Sequence, residues 1–306
     1  VTGVQTCALP IFLIELLIYK TLVVNTVIFS INLWINTIIP SLFPFFIISD
    51  ILIQYNVTNY IPKHIKNFFC KLFEVSEYSI GIFFLSLLSG FPSNARNTRN
   101  YYENGYISLD EANHILSFTH FSNPLFILST VAIFFFHHEE YGLIILLSHY
   151  LSNIIIGIIS RKKITTNLNN YTKPKKKSQN FGYILTNSIS SSINTILLIF
   201  GTLTSFLIIS SLLIKNINLP PYPSTILKCI LEITMGLKSL STLNLPDIYN
   251  IVIASMAISF GGLSVHLQVI SQICDTDISY SSFFIGRIWQ AILSGITSYI
   301  IYITIH

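Results

Sequence analysis

Residues 80–99 read IGIFFLSLLSGFPSNARNTR. The apolar run Ile80 to Leu88 would continue as a membrane-crossing helix, but Gly90 and Pro92 interrupt it, and Ser93, Asn94, Arg96, Asn97 and Arg99 follow at once. Lipid offers no hydrogen-bond partner to broken backbone, so such a break persists only where protein encloses it or where it lines a wet cavity. Discontinuous helices of this kind build transporter binding sites. Ser89–Arg99 is therefore expected to be the tip of a re-entrant helical hairpin. The plainer alternative is a spanning helix that closes at Leu88 and leaves through an ordinary loop.

The composition agrees with a membrane setting. The chain is 52% hydrophobic and 10% charged, with a mean hydropathy of +0.65, outside the range of a soluble domain. At roughly 20 residues per span plus loops, about six to nine embedded segments fit. The expected fold class is all-α, a polytopic helical membrane protein. The net charge of +4 resides in loops beside apolar runs, so it speaks for membrane topology and against nucleic acid as a partner. Cys70, Cys229 and Cys274 lack metal-type or CxxC spacing, and neither a metal nor another cofactor is expected. HExxH, GxSxG and Walker A patterns are absent, so enzyme chemistry is not expected.

Val1–Ile11, VTGVQTCALPI, back-translates to a sequence resembling a widely used short-read sequencing adapter. It is set aside from the fold as an assembly artefact, which leaves FLIELLIY as the end of a helix whose start is missing.

Residues 21–39 carry Asn25, Ser30, Asn32 and Asn36 among apolar residues, a spacing suited to a tilted or interfacial helix packed on protein. Pro40 then opens a span, SLFPFFIISDILI, with Asp50 inside it, either reaching water at the helix end or serving the cavity. Between Asn56 and Glu77, Lys63, His64, Lys66 and Lys71 alternate with Ile65, Phe68, Phe69, Leu72 and Phe73, as in a helix lying in the headgroup plane. Asn104-Gly105 marks a turn, and Ser108 with Glu111 is placed for a capping box. Asn123-Pro124 breaks the next helix, and Thr119, His120, Ser122 and Asn123 form a second polar cluster before an apolar run. HHEEYG, residues 137–142, has no Lys or Arg, whereas seven lie between Arg161 and Lys177. The basic loop is expected in the cytoplasm and HHEEYG outside.

The second half echoes the first. Asn25, Ser30 and Asn32 recur as Asn187, Ser192 and Asn194, and SGFPSNAR answers to SFGGLSVH, Ser259 to His266. The expected organisation is a first repeat over 12–160, a basic cytoplasmic linker over 161–180 and a second repeat over 181–306, each repeat with a broken re-entrant hairpin. Repeats with matched breaks point to a shared polar cavity holding a small polar solute. Candidate binding residues are Ser93, Asn94 and Arg96 from the first tip, Ser264, His266 and Gln268 from the second, and His120 and Asn123 from the intervening cluster. Glu232, a carboxylate amid apolar helix, completes the set, paired either with Arg96 or His266 in the cavity or with Lys228 or Lys238 at an interface. Arg287, one turn into the last helix, reads as an interface anchor.

The combination PSLFPFFIISDIL, SGFPSNAR, DEANHILSFTHFSNPLFIL, SHYLSNIIIG, EITMG and SFGGLSVH closely resembles the sporulation integral membrane protein YlbJ family. That resemblance implies the nucleoside-recognition "Gate" domain, related to parts of concentrative nucleoside transporters and of bacterial ferrous-iron transporters. It also implies an endospore-forming bacterium, a role in building the spore envelope from a membrane of the sporulating cell, and other sporulation membrane proteins as partners. In those nucleoside transporters the regions matching Ser93, Glu232 and Ser264 hold solute. The first tip here reads GFPSNA where they carry a Gln-Thr-Glu pattern. The expectation is a transporter-like or channel-like protein for a small solute, with a non-transporting scaffold of the spore envelope as the alternative.

Overall fold

In a computed structural model of the chain, residues 2–55, 60–161 and 180–306 are described, with side chains from Pro10 onward. The linker expected at 161–180 therefore lies almost wholly outside the described residues, as do most side chains of the adapter-like segment, whose backbone from Thr2 on is helical. Among the described residues there is helix and no strand. Five segments among these residues are long and apolar enough to cross a membrane: Lys20–Gln54, Glu139–Ile159, Phe181–Ile217, Asp247–Ile273 and Tyr280–Ile305. The chain is a multi-pass helical membrane protein.

Helix α1 (Thr2–Ile18) leads into α2 (Lys20–Leu33), a π-helical turn π1 (Trp34–Ile38) and α3 (Ile39–Gln54). These last three form one 35-residue segment, which corrects the expectation that 21–39 is a separate interfacial helix and that Pro40 opens the span. The wider π turn falls just ahead of Pro40, whose missing N–H would otherwise leave a gap in an α ladder. Next come α4 (Lys63–Phe73), set at 95° to α5 (Glu77–Ser89), then α6 (Ser93–Glu103), α7 (Leu109–Phe118), a π-helix π2 (Phe126–Phe136) and α8 (Glu139–Ile159). The second half holds α9 (Phe181–Ile217), α10 (Pro221–Leu231), α11 (Ile233–Leu240), α12 (Asp247–Phe260), α13 (Gly262–Ile273) and α14 (Tyr280–Ile305).

The two ends of α8 define two sides. At the end leading to the basic loop, His114 bonds Phe73 O at 3.1 Å and Ser160 Oγ at 3.4 Å. At that same end Glu111 Oε1 accepts from Ser76 N at 2.6 Å, and Asn113 Oδ1 accepts from Ser279 N at 2.7 Å. The starts of α5, α7 and α14 therefore share this side. At the other end His306 Nε2 lies 3.9 Å from Glu140 Oε2. The capping box is half formed: Ser108 Oγ accepts from Glu111 N, but the Glu111 carboxylate turns to Ser76 N and Ser79 Oγ instead of its own helix start.

Two pairs of short helices fold back on themselves. α5 packs on α6, entering from the basic-loop side, and α10 packs on α11, entering from the opposite side, where α9 ends and α12 begins. Gly236 makes the second pairing close, because a Cβ there would collide with the Cys229 backbone. The expected second tip at Ser259–Gln268 is not a hairpin. α12 and α13 run through as one 27-residue span interrupted at Gly261. Gly261 and Gly262, at φ +91° and +67°, let one helix stop and the next start within a residue, so the chain carries on across the membrane.

Candidate functional site

The tip of the first hairpin is Gly90, Phe91 and Pro92, between α5 and α6. Gly90 sits at φ +72°, and a Cβ there would stand 2.8 Å from Asn123 N, so only glycine lets the tip lie against the 119–125 break. That break separates α7 from π2, and Asn123 bridges both: Nδ2 donates to Leu88 O at 3.0 Å, while Oδ1 accepts from Leu125 N at 2.8 Å. His149, the midpoint of the 21-residue span α8, ties two breaks together. Its Nε2 accepts from Ser122 N at 2.9 Å, which leaves Nδ1–H to donate to Ser259 Oγ at 2.9 Å. Since α8 crosses the membrane, the breaks at Ser122 and Ser259 lie near mid-membrane.

The tip of the second hairpin is Glu232, 2% exposed. It caps α11: its carboxylate accepts from Thr234 N and Thr234 Oγ1, both at 3.1 Å, and from Met235 N at 2.8 Å. Neither expected cation partner reaches it. Arg96 pairs with Asp50 at 2.7 Å and also donates to Ser191 and Thr195. His266 bonds Tyr280 Oη and Phe260 O. The interfacial alternative fails too, since Lys228 donates to Ser239 Oγ at 2.9 Å and Lys238 lies over the Phe29 ring. Among the described residues Glu232 makes no ion pair.

Glu232 opens on a cavity of about 40 Å³, whose polar lining is Ser122, Asn123, Thr234, Ser264 and Gln268, set among apolar side chains that include Phe91, Phe126 and Leu203. Four of the nine residues expected in the site, Asn123, Glu232, Ser264 and Gln268, thus meet in one cavity. Both hairpin tips and both broken spans contribute to it. The other five do not line it. Arg96 is committed to Asp50 and His266 to Tyr280; His120 is stacked on Phe91 and set edge-on to Phe283. Ser93 and Asn94 are buried on α6, and their side-chain polar atoms find no partner among the described residues. Ser122 Oγ is likewise unpartnered and faces the cavity.

Sequence reasoning missed the frame that holds the 119–125 break. Arg287, expected at an interface, is fully buried. It donates to Ser117 O at 2.7 Å, His120 O at 3.3 Å, Asn153 Oδ1 at 3.2 Å and Gln290 Oε1. The carbonyls at the open C-terminal end of α7 neutralise its charge in place of a carboxylate. The available signal was the run of polar residues His149, Asn153, Arg287 and Gln290 on otherwise apolar spans, which in lipid demands a buried partner.

Among curated proteins, the chain is similar to the sporulation integral membrane protein YlbJ of Bacillus subtilis (strain 168). The two are 27% identical over 303 residues, covering 87% of this chain and 74% of the relative. No protein-family model matches the chain, and no solved structure matches it.

Proposed function

From the similarity to a sporulation integral membrane protein of the YlbJ family over most of the chain, we propose that it serves sporulation from a membrane of the sporulating cell, as a transporter-like protein for a small polar solute bound at the Glu232 cavity. One observation carries this reading: a buried carboxylate with no ion-pair partner among the described residues opens on a largely apolar cavity that carries a few polar side chains, at the meeting point of both hairpin tips. Beyond the three donors that cap it, a carboxylate in that position suits a proton or a cationic or hydroxyl-bearing guest. The cavity suits a small guest. At about 40 Å³ it has room for an ion or a few waters, whereas pockets for larger ligands run to roughly 300–1,000 Å³. A nucleoside would need the tips to part.

The packing also supports two halves related by inverted topology, with a pairing different from the one read in the sequence. α6 packs on α13 as α11 packs on π2, and α7 packs on α14 as α12 packs on α8. On this reading SGFPSNA corresponds to LEITMG, and THFSNP to SFGGLS. Hairpins entering from opposite sides and meeting in the middle are the arrangement that alternating access uses.

The competing reading is a scaffold of the spore envelope that keeps the fold and moves nothing, and the smallness of the cavity favours it. Glu232→Gln keeps the shape of the cap and removes the charge, and Ser264→Phe fills the cavity. For a transporter, both variants reach the membrane at normal levels yet fail to restore heat-resistant spores to a deletion strain, and spore metabolite profiles match those of the deletion. Full restoration by both variants would leave the scaffold reading standing.

A further inference from the structure

A second and larger cavity, about 660 Å³, lies away from the breaks between α7, α8 and α14, toward the basic-loop side. That is the size of a site for a lipid chain or drug-sized ligand. Its walls differ in character. α7 contributes Asp110, Asn113 and Ser117 from one helix face, three and four residues apart, while α8 and α14 contribute Ile156, Ile285 and Trp289. Ile285 and Trp289 are 55% and 58% exposed. On a spanning helix that exposure is to hydrocarbon, so the groove opens sideways into the bilayer. It closes where Arg287 Nη2 binds Ser117 O.

The mouth of the groove is charged. Asp110 stands exposed in the first turn of α7 and makes no ion pair among the described residues. On the facing wall Ser160 caps the end of α8 and is followed by Arg161, which is exposed. A groove whose α8 and α14 walls are mainly apolar, open to lipid, favours an alkyl chain along those walls over water, since water there lacks partners and a void loses dispersion contacts. A carboxylate at the mouth attracts an ammonium that carries N–H donors and repels an anionic headgroup; a neighbouring guanidinium suits a phosphate.

We propose that this groove binds an amine-bearing zwitterionic phospholipid of the phosphatidylethanolamine type, one acyl chain lying between α7 and α14, its ammonium on Asp110 and its phosphate toward Arg161. The chain has two tryptophans, Trp34 and Trp289, so Trp34→Phe makes Trp289 the sole reporter. The full-length variant is reconstituted into nanodiscs containing phospholipids brominated on the acyl chain, with ethanolamine, choline or glycerol headgroups, and quenching is titrated against mole fraction. The ethanolamine lipid should half-quench Trp289 at about two- to five-fold lower mole fraction than the others, the span that one exposed ion pair supports. Asp110→Asn should bring it level with the choline lipid, and Asp110→Glu should keep the preference. Equal quenching by all three headgroups, stronger quenching by the glycerol lipid, or a preference that survives in Asp110→Asn would overturn the proposal.

Discussion

Arg96 Nη2 and Asp50 Oδ1 lie 2.7 Å apart, each side chain 16% exposed, and join the first hairpin to the span α3 across 46 positions of sequence. Ser191 and Thr195 of α9 bind the same guanidinium, so one side chain fastens α6 to both α3 and α9. Removing either charge leaves the other without its partner in a low-dielectric setting. Asp50→Asn or Arg96→Met should each cost about 3 kcal/mol and lower the midpoint of thermal aggregation in detergent. The double variant should lose clearly less than the sum of the two. Simple additivity would mean that the two charges do not interact.

The cavity predicts a contact between distant residues. Phe91, at the first tip, and Ser264, in the first turn of α13, line the same cavity. Cysteines at these positions in a cysteine-free background should form a disulfide under mild oxidation in membranes. A Leu88/Ser264 pair, with Leu88 47% exposed on α5, should not. Equal cross-linking of both pairs, or of neither, would contradict the packing.

Gly236 tests the second hairpin against a matched control. A Cβ there meets the Cys229 backbone, whereas one at Gly201 meets nothing within 4 Å. Gly236→Ala should therefore destabilise by about 1–3 kcal/mol, the range of overpacking. Gly201→Ala, in mid-helix, should be neutral or stabilising by up to about 1 kcal/mol. The order of the two melting midpoints decides the point.

At the basic-loop side Arg99 holds Asp275 with two bonds of 2.9 Å. The guanidinium holds the Asp275 carboxyl below its ordinary value of 3.8. A depressed carboxyl contributes stability above its unfolded pKa and loses it as pH falls through the folded one. Amide protection around Gln272–Ser279 should therefore hold steady from neutral pH to about 5 and fall only below the ordinary aspartate range. Asp275→Asn should flatten that profile. An unchanged profile in the variant would assign the acid sensitivity elsewhere.

Sidedness follows from charge. With HHEEYG free of Lys and Arg and seven of them between Arg161 and Lys177, Glu140 and its neighbour His306 should lie outside and Glu103 and Asp275 inside. Single cysteines at the first two positions should react with an impermeant thiol reagent in intact cells. Cysteines at the other two should react only after permeabilisation, and the reverse pattern would invert the topology.

Much of this fold was legible because lipid punishes the same features that sequence displays. Gly90-Phe91-Pro92 and Asn123-Pro124 announced their breaks by removing backbone bonds. Which of the glycine breaks turns the chain back was not legible. Glycines at 90 and 261 look alike in sequence, yet one turns the chain back and the other passes it on, a difference set by what packs alongside. Glu232 was found as a buried acid, but its role as a helix cap depends on Ile233 starting a new helix after a single extended residue, which no composition signal marks. Arg287 was misjudged for a similar reason. Its counter-charge is the carbonyl end of α7, about 170 residues earlier in the chain, and a backbone dipole leaves no letter in the sequence.

The shortness of the hairpin arms bears on how the chain is made. α5, α6, α10 and α11 have 13, 11, 11 and 8 residues; at 1.5 Å per residue none exceeds about 20 Å, well short of the roughly 30 Å hydrocarbon core. None of the four can insert alone as a stable span. The first hairpin emerges from the ribosome with Asp50 already in place but with other fasteners still unmade: Ser191 follows Arg96 by 95 residues, and Asp275 follows Arg99 by 176. Its full set of contacts is complete only once α9 and α13 have been synthesised, so a hairpin translated early is among the last pieces to be locked.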